Sequence, residues 1–276
     1  MVNYAQLLIL GAFAGLTIFL GFPVILMKAS QKRRAFLNAL AIGILVFLVI
    51  DVLSSAWGVV AGSALKVQAG TAAVSYAAIL LAIMFIGIAL GLIGLALYES
   101  RYMRGHAKTE VQLESTLAGR DGIGINRYRL ATMIAVGIGA HNFSEGLAIG
   151  QSYASGVIAL ALVLIVGFAA HNATEGFGIL GPLAGEEKRP SLGFLVRIGM
   201  IGGGPTFLGT LVGSLYVSQF LYVLFLAFAG GALIYVILLM YSVAARQTSN
   251  TMLMSAIFIG LLFGFITDLI VTLGGA

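Results

Sequence analysis

The feature that most constrains this chain is a series of eight apolar stretches, each long enough to cross a lipid bilayer. They cover approximately residues 4–27, 36–60, 73–98, 129–152, 156–181, 191–217, 220–244 and 252–273. A membrane-spanning helix needs roughly 20 mostly apolar residues. The pattern predicts an all-α, polytopic membrane protein in which residues 1–276 form one transmembrane domain with eight helices.

Composition excludes the soluble classes. Hydrophobic residues make up 60% of the chain and charged residues only 9%, whereas a soluble domain carries about a quarter charged residues. Cysteine is absent, so neither a disulfide nor a thiolate metal ligand is available. The net charge of +5 could indicate a nucleic-acid partner, but the placement of the basic residues indicates membrane topology instead. The expected surroundings are therefore lipid, with no nucleic acid.

The basic residues alternate across the predicted spans. On one side lie Lys28, Lys32, Arg33, Arg34, Arg101, Arg104, Lys108, Arg120, Arg127, Arg129, Lys188, Arg189, Arg197 and Arg246, and only Lys66 lies on the other. Basic residues concentrate on the cytoplasmic side of membrane proteins. We therefore expect a multi-pass protein of the cell membrane with both termini outside the cytoplasm. The first span is expected to be a signal anchor, and the polar segment 99–129 a mobile cytoplasmic loop.

An internal repeat brings ionisable residues into the apolar spans. Residues 136–149 read VGIGAHNFSEGLAI and residues 166–179 read VGFAAHNATEGFGI, with eight identical positions at an offset of 30 residues. At 1.5 Å per residue, His141 lies about 18 Å from the cytoplasmic end of its span and His171 about 15 Å from that of the next. Both motifs therefore lie near the middle of the bilayer on antiparallel helices.

Each motif has the chemistry of a metal half-site. His and Glu four residues apart share one helix face, so His141, Glu145, His171 and Glu175 can converge, with Asn142 and Asn172 beside them. Imidazole, carboxylate and amide ligands suit Zn²⁺, Fe²⁺, Mn²⁺, Co²⁺ or Cd²⁺ better than Ca²⁺ or Mg²⁺. A lone histidine or glutamate could be a structural contact. Four such groups at one depth favour a bound cation, because each costs roughly 2.5–3.5 kcal/mol in the bilayer centre.

The paired segments HNFSEG and HNATEG resemble the HNxPEG signatures of the ZIP (Zrt-, Irt-like protein) metal transporters, and FLVIDVL around Asp51 resembles the second span of that family. Within that family, the chain resembles the bacterial GufA-like branch. The resemblance implies a ZIP-type inverted-repeat helix bundle. It also implies a carrier that moves divalent metal, Zn²⁺ foremost, toward the cytoplasm by an elevator-like alternation. The ligands would be His141, Asn142, Glu145, His171, Asn172 and Glu175, and the metal is cargo, so no cofactor is expected.

The chain also departs from the family pattern. Ser144 and Thr174 stand where the family has prolines, and hydroxyls there can bond back to a carbonyl one turn earlier and bend a helix gently. Thr206 stands about where the sixth span usually carries a glutamate for a second metal, and the seventh span lacks its usual acids. These departures predict one bound metal. The run Gly202–Pro205 is expected to weaken or kink the sixth span.

Other features leave alternatives open. Asp51 is either a ligand on the metal pathway or the partner of Ser54 or Ser55, and Asp268 is expected to be an acid at the pathway entrance. An intramembrane metal-dependent hydrolase is a second hypothesis, although no HExxH motif is present. A third is a divergent metal sensor without transport. The glycine-rich helix faces permit a homodimer.

Overall fold

The computed structural model describes residues 3–26, 30–98, 100–101, 127–156, 158–184 and 189–273, and these residues contain no β-strand. Each predicted span corresponds to one long helix. The helices are α1 (Tyr4–Leu16), which continues as a 3-10 helix (Thr17–Leu26), α2 (Gln31–Gln68), α3 (Val74–Tyr98), α4 (Arg127–Ala154), α5 (Ile158–Leu180), α6 (Leu192–Leu215), α7 (Gln219–Ala244) and α8 (Asn250–Leu273). Most of the predicted loop 99–129 lies outside the described residues.

Six of the described helices are long and apolar enough to cross a membrane, namely α1 with its 3-10 continuation, α2, α3, α6, α7 and α8. The helices α4 and α5, which carry the repeated motif, are not among them. Polar motif residues dilute the apolar character of α4, yet most of its side chains from Leu130 to Gly150 are buried against other helices. A helix shielded from lipid does not need an apolar surface. Eight spans thus remain a prediction with which the helix arrangement agrees.

The first three and the last three helices form an inverted repeat. The backbones of Gly15 on α1 and Gly203 on α6 contact each other. Gly43 of α2 contacts the backbone of α8 equally closely, and Gly231 of α7 contacts the backbone of α3. Both glycine pairs are 188 positions apart. By the predicted topology, α4 and α5 separate the triplets by two crossings, so the triplets would traverse the bilayer in opposite directions. Such repeats place a substrate site at their interface near the midplane.

Close backbone contacts divide the bundle into two groups of helices. Among the described glycines, every approach under 3 Å between an added Cβ and another helix's backbone lies within one of two groups, α1, α4, α5 and α6 or α2, α3, α7 and α8. Between the groups, contact is looser and mostly through side chains: an added Cβ at Gly137 would lie 3.4 Å from Leu233, and one at Gly181 would lie 3.2 Å from Ala41. Close packing at glycines therefore holds the helices together within each group but not across the boundary between the two groups.

The run that was expected to weaken or kink the sixth span lies within a continuous helix, and the change of helix type occurs in the first half instead. The run Gly202–Pro205 lies inside α6, which is helical without a break from Leu192 to Leu215. Pro205 offers no N–H to the carbonyl of Ile201, and that carbonyl lies against Gly139 of α4. A Cα–H donor of α4 is therefore placed to contact it. In the first half, by contrast, the α-helix changes to a 3-10 helix at Thr17.

Candidate metal centre

Three ionisable side chains meet at the centre of the bundle. The Nε2 atom of His141 lies 3.3 Å from Oε1 of Glu145 and 3.5 Å from Oε1 of Glu175. His141 and Glu145 are one turn apart on α4, and Glu175 comes from α5. Their side chains are 2%, 5% and 0% exposed. The structure thus brings together three of the four ionisable ligands that the repeat predicts.

These separations match those between ligands of one cation. Zinc–ligand bonds of about 2.0–2.2 Å in tetrahedral geometry place neighbouring ligand atoms roughly 3.3–3.6 Å apart. Among the described side chains, however, no group of three or more His, Cys, Asp or Glu residues forms a ready-made metal cluster. The carboxylates of Glu145 and Glu175 both lie against the imidazole of His141. The side chain of His171, the fourth predicted ligand, lies outside the described residues, although its backbone belongs to α5.

The two asparagines of the repeat are anchored in equivalent ways. Nδ2 of Asn142 donates to the carbonyl of Gly202 on α6 at 3.0 Å, and Nδ2 of Asn172 donates to the carbonyl of Ala14 on α1 at 2.8 Å. These acceptors are 188 positions apart, so the repeat extends to the hydrogen bonds. Because a carbonyl only accepts, the amide orientation is fixed. Oδ1 of each asparagine is buried and has no partner among the described residues.

The hydroxyl residues in and near the motifs, Ser144, Thr174 and Thr206, differ in their interactions. Ser144 donates to the carbonyl of Ala140 at 3.2 Å, which confirms the bond to the preceding turn that its position suggested. Thr174 on α5 also has an interaction partner. Thr206 is fully buried on α6, and its Oγ1 has no partner among the described residues. Thr206 therefore lies inside the bundle, near the motif helices.

The two acids of the predicted pathway face each other across α2 and α8. Gly43 packs on Gly260 and Phe47 packs on Gly264, an offset of 217 positions in a parallel helix pair. The same offset pairs Asp51 with Asp268, and Asp51 interacts electrostatically with Asp268 and with His141. Among the described residues, no hydrogen bond joins Asp51 to Ser54 or Ser55. Asp51 therefore lies within electrostatic range of Asp268 and His141 and is not hydrogen-bonded to either serine.

Sequence reasoning missed one polar side chain near this centre. Tyr222 of α7 is largely buried, and its phenol lies within electrostatic range of Asp51 and Glu145. It lies in an apolar run with no neighbouring motif. Nothing in the local sequence distinguishes it from a tyrosine at the membrane interface, since only the packing of α7 against α2 and α4 brings it here.

Comparison with known proteins agrees with this arrangement. Residues 99–272 match the model of the ZIP zinc transporter family. No curated protein matches the chain. The matched region contains both HNxxEG motifs and the last three helices of the repeat. It covers more than half of the chain, and the chain therefore belongs to the ZIP family of zinc transporters, whose members move divalent metal ions.

Proposed function

We propose that this protein carries divalent transition-metal ions through the cell membrane toward the cytoplasm. Zn²⁺ is the first candidate, followed by Fe²⁺, Mn²⁺, Co²⁺ and Cd²⁺. The observation that carries the proposal is the convergence of His141, Glu145 and Glu175 at ligand spacing in a fully buried site. His171, Asn142 and Asn172 complete the proposed ligand set, by their positions in the two motifs.

Charge supports a single cation. Glu145 and Glu175 together carry two negative charges, which one dication neutralises. An isolated carboxylate near the bilayer centre is costly, whereas a carboxylate bound to a cation is not left as a net charge. No further acid lies among the six proposed ligands. One metal per chain is therefore the occupancy that leaves the site neutral.

The division into two helix groups supports an elevator-like alternation. The motif helices α4 and α5 belong to one group, so the bound metal would move with α1 and α6. The boundary includes the rings of Phe143 on α4 and Phe225 on α7, with centroids 4.4 Å apart. Side-chain contacts of this kind can be exchanged for others when two packed bodies slide. Interlocked glycine backbones, in contrast, hold each group together.

Asp51, Asp268 and Tyr222 are proposed to line the approach from the outside, with Thr206, Ser144 and Thr174 as further polar contacts inside. By the predicted topology, Asp51 and Asp268 lie on the outer side of the metal centre. A pair of carboxylates at a narrow approach raises the local concentration of cations. Asp51 interacts with both Asp268 and His141, so it connects the approach to the centre.

The hydrolase hypothesis gains no support from the site. Members of the ZIP family are transporters rather than enzymes. A hydrolase also needs a base beside the metal-bound water, whereas both motif carboxylates face His141 in the same way. No observation favours a sensor over a carrier.

The proposal is tested by Zn²⁺ uptake into proteoliposomes. Glu145→Gln and Glu175→Gln should each abolish uptake, because they remove one of the two charges that balance the cation. Gln151→Ala is the matched control, since Gln151 lies on α4 closer to its outer end, and its uptake should equal that of the wild type. Wild-type uptake by both glutamate variants would refute the carrier site. Cleavage of a lipid or peptide without ion flux would favour the hydrolase.

A further inference from the structure

Three oxygen atoms beside the candidate metal centre have no partner. Oδ1 of Asn142, Oδ1 of Asn172 and Oγ1 of Thr206 are buried without a hydrogen bond among the described residues, and all three side chains are 0% exposed. An unsatisfied polar atom in a protein interior carries the cost of losing its hydrogen bonds to water with no bond in return. Three such atoms in one part of a bundle call for a common ligand.

Contacts between helices place the three residues around one point, the crossing of α1 and α6. The amide acceptors Ala14 and Gly202 directly precede Gly15 and Gly203, which touch each other. An added Cβ at Gly15 would lie 3.1 Å from Cβ of Thr206. The two asparagines therefore approach this crossing from α5 and α4, and Thr206 is part of it.

This polar cluster of Asn142, Asn172 and Thr206 adjoins the metal centre. The amide of Asn142 interacts with the carboxylate of Glu175, and Oε2 of Glu145 is a further buried oxygen without a partner. One N–H of each Nδ2 atom is engaged with a backbone carbonyl, so the unpaired groups here are the two acceptor oxygens Oδ1 and the Thr206 hydroxyl. Of these three oxygens, only that of Thr206 can also donate.

These groups complement one water molecule. Water has two hydrogens for the two amide oxygens and can accept one hydrogen bond from the Thr206 hydroxyl, which leaves a lone pair free. Buried waters typically make about three such bonds. A second dication fits poorly, since Asn142, Asn172 and Thr206 contribute no charge and one dication already balances Glu145 and Glu175.

We infer that Asn142, Asn172 and Thr206 hold an ordered water that serves as a ligand of the transported metal, and that the neutral Thr206 limits the centre to one cation. This inference rests on the proposed function. The metal would then cross the membrane with one water retained. This refines the proposed ligand set, because the oxygens of Asn142 and Asn172 would act on the metal through that water rather than by direct coordination.

The first test is metal stoichiometry. Purified protein is equilibrated with Zn²⁺, freed of unbound metal and analysed by mass spectrometry for zinc per chain. The wild type should bind one ion, Thr206→Glu should bind two, and Thr206→Gln, which has the same size without the charge, should bind one. Two ions in the wild type, or one in both variants, would overturn the inference. No bound Zn²⁺ in the wild type would refute the proposed function itself.

A second measurement needs no enlarged side chain. Deuterium ENDOR spectra of Mn²⁺-loaded protein in D₂O detect water bound directly to the ion. The wild type should give the signal of a bound water, and Thr206→Val, which is nearly isosteric, should lose it while retaining one Mn²⁺. A signal absent from the wild type or unchanged in Thr206→Val would overturn the inference. The inference would also be overturned if Na⁺ but not K⁺ stabilised the protein and this effect vanished in Thr206→Val. That result would assign the cluster of Asn142, Asn172 and Thr206 to a monovalent cation.

Discussion

The two halves of the inverted repeat share their packing but differ in their chemistry. Gly15 in the first half and Gly203 in the second make reciprocal backbone contacts. Three positions further on, the first half has Ile18 and the second has Thr206, both fully buried. The comparison teaches that the fold needs small residues at equivalent positions in both halves, whereas polar function needs only one copy.

The same contrast holds along the approach to the metal. Asp51 in α2 corresponds, 188 positions later, to Leu239 in α7. By the predicted topology, Asp51 lies on the outer side of the centre and Leu239 on the cytoplasmic side. A cation is therefore attracted on one side and not retained by an equivalent acid on the other. This asymmetry agrees with the proposed direction toward the cytoplasm.

The largest effect is expected where the halves are most alike. In Gly203→Ala, the added Cβ would collide with the backbone of Gly15, whereas in Gly204→Ala it would meet only the end of Met200 at 3.5 Å. Overpacking costs about 1–3 kcal/mol, occasionally more, and a backbone neighbour cannot rotate away. Thermal unfolding followed by fluorescence-detected gel filtration should show a clearly lower midpoint for Gly203→Ala only.

Gly15→Ala extends this comparison to the other half. It should lower the midpoint as Gly203→Ala does, because the contact is reciprocal. Equal midpoints for Gly203→Ala and Gly204→Ala would contradict the α1–α6 crossing on which the repeat depends.

A smaller effect is expected where the halves differ. Asp51→Asn removes a charge from the outer approach, so the KM for Zn²⁺ uptake should rise roughly tenfold through loss of cation attraction, with kcat changed less. Leu239→Asn is the matched control, since it introduces the same amide at the equivalent position of the other half, and its KM should stay near that of the wild type. Initial uptake rates over a range of Zn²⁺ concentrations distinguish the two.

Asp268→Asn gives a further check on this pair. Its effect on KM should not add fully to that of Asp51→Asn, because the two carboxylates interact and neighbouring sites are coupled. Full additivity would show that they act at separate places along the approach.

The sequence predicts the helices and the motif well, since both depend on local pattern. Apolar length gives eight helices, and i, i+4 spacing gives the contact of His141 with Glu145. The convergence of Glu175 on the same histidine also followed from the repeat. These features need only helix geometry and antiparallel neighbours.

Features set by packing between distant helices could not be predicted in this way. The run Gly202–Pro205 looks like a weak point in sequence, but Gly202 and Gly203 serve close contact with other helices, and α6 remains helical. The pairing of Asp51 with Asp268 depends on the register of α2 and α8, and Tyr222 is near Glu145 only through the placement of α7. No single helix carries this information.

The smallest effect is expected at Ser144, since the two HNxxEG motifs carry similar hydroxyl residues, Ser144 and Thr174, at this position. Its hydroxyl bonds to the carbonyl of Ala140 within the same helix, so it holds no other helix in place. In Ser144→Ala, the lost bond is offset by the better helix propensity of alanine, roughly 0.5 kcal/mol. Stability and Zn²⁺ uptake should both stay close to the wild type. A large loss of uptake with unchanged stability would instead show that the Ser144 hydroxyl contacts the metal or its water directly. The α4 motif would then supply a polar group to the site in addition to His141, Asn142 and Glu145.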